Sequence, residues 1–130
     1  MNYVVRYLSI TFLIFALFGC TNGEVDEYAK KIKKQGLDNV EILLMHAGAD
    51  DMRVIRRGVG NCIDNSGLVE QKVEVAIDEN GSTELTRETT GIIGMNIATE
   101  CAQYWANSAE SLVEQRERRD LLNEYAFGVE

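Results

Sequence analysis

The chain has no proline, one histidine and one tryptophan in 130 residues. Without proline, its turns fall to glycine, asparagine and aspartate, which tolerate left-handed backbone or bond their own main chain. A single histidine, His46, leaves no close Cys or His pair from which to build a zinc set. A Cys–His hydrolase would also lack its free thiolate and an orienting partner. The acid pairs Asp50/Asp51 and Asp78/Glu79 read as a helix start and a turn, because the alternating calcium-loop pattern is missing. Phosphate loop, nucleophile elbow and dinucleotide fingerprint are missing as well. No catalytic residue, metal or cofactor is therefore expected. Basic side chains are in deficit, 13 against 21 acids. Nucleic acid and anionic lipid both need a basic patch, so neither is expected as a partner.

A long apolar run is also lacking. Residues 7–18, YLSITFLIFALF, are almost wholly apolar, with Arg6 before them and no further charge until Glu24. A spanning helix needs about 20 such residues. A positive start, a short apolar core and a small residue before a cut site describe an export signal instead. The tetrapeptide Leu17, Phe18, Gly19 and Cys20 resembles the lipobox of bacterial lipoproteins, although Phe18 is bulkier than that family usually carries. An ordinary cleaved signal or an uncleaved anchor helix is the alternative. The resemblance implies that residues 1–19 are removed and that Cys20 carries a diacylglyceryl thioether and an acylated amino terminus. Residues 20–23 then form a short tether and 24–130 a single domain. One acyl chain binds a bilayer only marginally, but several together anchor a protein stably. Thr21, in place of aspartate after the cysteine, implies the outer membrane by that family's sorting rule, with the domain facing the periplasm.

Without the signal the chain has 111 residues, with 12 basic and 21 acidic side chains. Export would place Cys62 and Cys101 in an oxidising compartment, where an even pair forms a disulfide. Closing that loop contributes about 4 kcal/mol in the chain-entropy model.

The expected fold class is α+β: an antiparallel β-hairpin packed against helices in one small domain with one disulfide. Residues 24–35, EVDEYAKKIKKQ, have helical spacing and are followed by Gly36. Residues 40–45, VEILLM, are too short to assign, and 51–57, DMRVIRR, read as a short helix closed by Gly58. In 69–77, VEQKVEVAI, the positions Val69, Val73, Val75 and Ile77 share one strand face, interrupted by Gln71. DENG at 78–81 reads as a hairpin turn, and STELTRETT at 82–90 as a returning edge strand. Residues 92–106 place Ile97, Cys101 and Trp105 four apart on a helix covering that hairpin. Asn107 and Glu110 have capping-box spacing.

From 52 to 105, the pieces RVIRRGVGNC, GLVEQKVEVAIDENGSTELT and ATECAQYWA follow one another. This order of helix with cysteine, hairpin, helix with cysteine and tryptophan resembles C-terminal domains of the TonB and AgmX type. It departs from them after Trp105, where that family continues with a final strand. The resemblance implies a periplasmic protein-interaction module without catalysis.

The functional expectation is an outer-membrane-anchored lipoprotein that binds a protein, as an accessory or pilot-like subunit of an envelope complex. The tip Leu121, Leu122, Tyr125 and Phe127 follows seven polar residues, EQRERRD at 114–120, and reads as the partner-binding segment. The alternative is a periplasmic inhibitor or immunity lipoprotein that blocks a basic toxin or a cell-wall hydrolase.

Overall fold

The computed structural model describes residues 22–81 and 84–130. The signal segment and Cys20 lie outside the described residues. Among the described residues five helices follow one another: α1 (Asn22–Leu43), α2 (Ala49–Asn65), α3 (Leu68–Asn80), α4 (Arg87–Asn107) and α5 (Leu112–Glu124). No strand occurs among the described residues, so the expected α+β class with a hairpin is corrected to an all-helical one.

The correction has a physical reason in 69–77. Val69, Val73, Ala76 and Ile77 also fall at i, i+4, i+7 and i+8, so the same run fits a helix. In α3, Val69 and Val73 are fully buried while Val75 is half exposed, which a shared strand face would not allow. Gln71, awkward on a strand's inner face, sits exposed on the helix. The DENG signal is a helix ending: Gly81 takes φ +64° at the C-cap, where glycine avoids the Cβ penalty. Of the expected edge strand, residues 82 and 83 lie outside the described residues. Leu85 is buried in the core, and Thr86 caps α4 by accepting from the Thr89 N–H at 3.1 Å. With the hairpin goes the strand pair that a TonB or AgmX-type domain requires.

The helices form a bundle whose directions can be read from its contacts. Lys33 donates to the Asp64 carbonyl and Arg56 pairs with Glu41, so α2 runs antiparallel to α1. Gly67, at φ +78°, then turns the chain into α3. The Tyr28 hydroxyl accepts from Leu85 N–H and the Asn39 amide donates to the Gly94 carbonyl, so α4 rises in the same sense as α1. Between them lie Ile32, Val40, Ile63, Ile97 and Ala98, all buried.

Both early helices run longer than their glycines suggested, because those glycines are contact points. A Cβ on Gly36 would stand 2.5 Å from Ile97 Cγ2, so the glycine lets α4 approach α1. Gly58 does the same for Trp105. The disulfide Cys62–Cys101 joins α2 to α4 across this seam, with Cα atoms 5.6 Å apart.

The C-terminal segment closes the fold. Ser111 caps α5 by accepting from Glu114 N–H, four residues beyond the capping box expected at Asn107 and Glu110. Leu122 in the last turn of α5 and Phe127 beyond it are fully buried, and Val129 nearly so. Gln103 exchanges two hydrogen bonds with the backbone of Glu130, each 3.0 Å.

Candidate functional site

Along α2, the residues Val54, Arg57, Gly58, Asn61, Cys62 and Asn65 fall at i, i+3, i+4, i+7, i+8 and i+11, a single stripe of the helix. The last turns of α4 set Tyr104, Trp105 and Ser108 opposite, and Arg118 of α5 closes one end. These residues line an open groove of about 820 Å³.

The base of the groove is fixed by Trp105. A Cβ on Gly58 would overlap the indole, nearly equidistant from Cε2, Nε1 and Cδ1, so the glycine backbone lies over the face of the five-membered ring. The Arg118 guanidinium stands over the indole at 4.7 Å from the ring centroid, a cation–π arrangement. Arg118 also donates to the Trp105 carbonyl at 2.8 Å and to Ser108 Oγ at 3.2 Å, and it pairs with Glu114 at 3.1 Å. Behind the groove wall, the disulfide clamps α2 to α4.

The rim is different in character. Tyr104 is 61% exposed and Val54 43%. Asn65 donates to Asn61 Oδ1 at 2.8 Å, joining the two amides into one polar strip. Arg57 is exposed, and its side chain makes no hydrogen bond or ion pair among the described residues. The lining includes two arginines and no carboxylate, on a chain whose net charge is −8. Cys62 is oxidised and the lining has no histidine, so the groove has no nucleophile–base pair.

A second groove, about 480 Å³, runs between α3 and α4 past Leu68, Val75 and Ile92. Its Lys72 is neutralised by Glu100 at 2.7 Å.

The sequence-derived site residues fare unequally. Cys62 and Cys101 form the expected disulfide. Cys20 lies outside the described residues. The proposed partner-binding tip is folded inward: Leu122 and Phe127 are core, and Leu121 and Tyr125 are half-buried against it. The Tyr125 hydroxyl donates to Asp51 Oδ2 at 2.6 Å, tying the tip to the start of α2. A segment so held presents no free apolar anchor to a partner's groove. The polar stretch before it is also not bare, since Arg118 covers Trp105. His46 is exposed and lies outside the groove. Among the described residues there is no cluster of three or more His, Cys, Asp or Glu suited to a metal ion. Among them, too, no helix is long and apolar enough to cross a membrane.

Sequence reasoning missed the groove. Its signal was present in the 54–65 stripe, where small and amide side chains replace the large apolar ones of a core face. Searches against protein-family models, curated proteins and solved structures found no match.

Proposed function

We propose that this chain is an exported lipoprotein, held by acyl groups on Cys20 at the periplasmic face of the outer membrane. Its work is binding, as an accessory or pilot-like subunit of an envelope complex. The seat for the partner is the groove between α2 and α4. The observation that carries this reading is the pairing, in one groove, of the unpartnered Arg57 guanidinium with the exposed apolar surface of Tyr104 and Val54. An anchor adds to such a site by confining it near membrane partners and raising their effective concentration.

The sign of the groove also separates the two functional classes. A plug for a basic toxin or hydrolase would present carboxylates to it. This groove presents the unpaired Arg57 and no carboxylate of its own lining, which favours the accessory reading.

The test is made on the full-length chain in a bacterial envelope. A photo-crosslinking residue at Tyr104 is expected to trap one envelope protein, while the same residue at exposed Glu27 of α1 traps none. Intact mass of the mature chain is expected to show cleavage before Cys20 and acylation of that residue. An unmodified full-length chain in the cytosol, or equal trapping from both positions, sinks the reading.

A further inference from the structure

We propose that the segment recognised in the α2–α4 groove is a peptide stretch bearing a carboxylate beside a large apolar side chain, with Arg57 receiving the carboxylate. This inference rests on the binding role of the groove and specifies the chemistry of its occupant.

The argument starts from charge. An exposed guanidinium offers five donors in a planar fork, a geometry that matches a carboxylate bidentately. Arg56, its chain neighbour, already makes that pairing with Glu41, through Nε at 2.6 Å and Nη2 at 2.7 Å. Arg53 is paired with Asp50, and Arg118 with Glu114. Arg57 has no carboxylate partner among the described residues, as is also true of Arg87, Arg116 and Arg119, but of these four it alone lines the α2–α4 groove. The groove around it contains no acid to satisfy it from within.

The second step concerns the neighbours. One helical turn from Arg57, Asn61 joins Asn65 to form an amide strip able to bond a peptide backbone. Val54 and Tyr104 offer apolar contact at the rim, and both stay exposed. The arrangement therefore matches a chain with an acid, a backbone and an apolar side chain. A glycan fits less well. Sugar rings rely on open aromatic faces, and the indole of Trp105 already bears the Gly58 backbone and the Arg118 guanidinium, which leaves Tyr104 as the one open ring of the lining.

The test uses the folded, disulfide-bonded protein displayed from its amino-terminal end, panned against a random dodecapeptide phage library. Selected peptides are expected to be enriched in Asp or Glu adjacent to Leu, Phe, Tyr or Trp. Their affinity is expected to fall on the order of tenfold with Arg57→Gln, the loss of one charge-assisted contact. The control Arg116→Gln, an exposed arginine outside the groove, is expected to bind as the parent does. In amide NMR spectra, a selected peptide is expected to shift the Trp105 indole N–H and the Asn61 and Tyr104 amides. Enrichment without acids, no enrichment, or unchanged affinity in Arg57→Gln overturns the inference. Chito-oligosaccharide shifting the same resonances more strongly than any selected peptide also overturns it. Trapping from Tyr104 in the envelope alongside a failed acid selection would leave the groove as an interface and remove only its acidic specificity.

Discussion

At the scale of single residues, Gly58 and Trp105 define the site together. The indole can lie against α2 only because position 58 has no side chain; a Cβ there would stand 2.6 Å from Cδ1 and closer still to Nε1 and Cε2. Gly58→Ala is expected to cost about 1–3 kcal/mol, the usual range for overpacking a filled contact. Urea unfolding followed by Trp fluorescence checks this. Gly48→Ala, with open space around the new Cβ, provides a comparison without a steric clash. Tyr125 gives a second residue-scale prediction. Its hydrogen bond to Asp51 raises the phenol above its ordinary value near 10, with burial and the carboxylate's charge adding to the effect. The folded state thus keeps a proton that the unfolded chain releases first. This contribution is complete below the unfolded value and is lost as pH rises toward the folded one. Tyr125→Phe is expected to flatten that alkaline loss, as shown by comparing urea midpoints of the two proteins from neutral pH upward.

At the scale of elements, the sequence spoke clearly about some helices and misleadingly about others. The acids of α1 and its spacing from Val25 to Ile32 foretold its first half, and the Ile97, Cys101 and Trp105 ladder foretold α4. The disulfide was expected because export, with Cys20 set aside for the lipid, would leave Cys62 and Cys101 as an even pair. The hairpin failed because 69–77 satisfies two periods at once, and valine-rich composition tipped the choice toward strand. Tertiary packing decided the matter: α3 buries Val69 and Val73 against the bundle and turns Val75 outward. The C-terminal tip was misjudged for a related reason. Seven polar residues in a row seemed to leave a rod in water, but Arg118 lays its guanidinium over Trp105 and Leu122 enters the core immediately after. Amphipathic arginine hides such contacts from a binary pattern. The groove was legible only in part: the small and amide side chains of the 54–65 stripe mark one wall, but which helix faces that stripe is a fact of assembly that no local pattern encodes. Removing residues 121–130 is therefore expected to unfold the domain. Phe127→Ala alone is expected to cost about 3–5 kcal/mol. Thermal unfolding by circular dichroism measures both, and a truncated chain with the parent's midpoint would restore the idea of a free tip.

At the scale of the whole molecule, the bundle is clamped once, between its second and fourth helices. Cys62 and Cys101 are 39 positions apart, and their bond restricts the unfolded chain across α3 and the connection into α4. The paired replacement Cys62→Ser with Cys101→Ser is expected to lose up to about 4 kcal/mol in the chain-entropy model. Denaturation under identical conditions, with the oxidised parent beside the double variant, reads the difference. Because the bond lies beside the α2 wall, weaker peptide capture by the double variant is expected to accompany its lower stability.

The length of α1 carries a consequence for placement. The Glu41–Arg56 pair sits 19 residues after Asn22, the first residue of α1. At about 1.5 Å per residue, that level stands roughly 28 Å up the helix axis. If the proposed lipid is at the foot of this mast, α1 can lift Arg57 well beyond the Debye length of about 8 Å at physiological salt. There a guest's acid would meet the guanidinium beyond the field of the headgroups, and the reach of the berth would be set by a rigid rod.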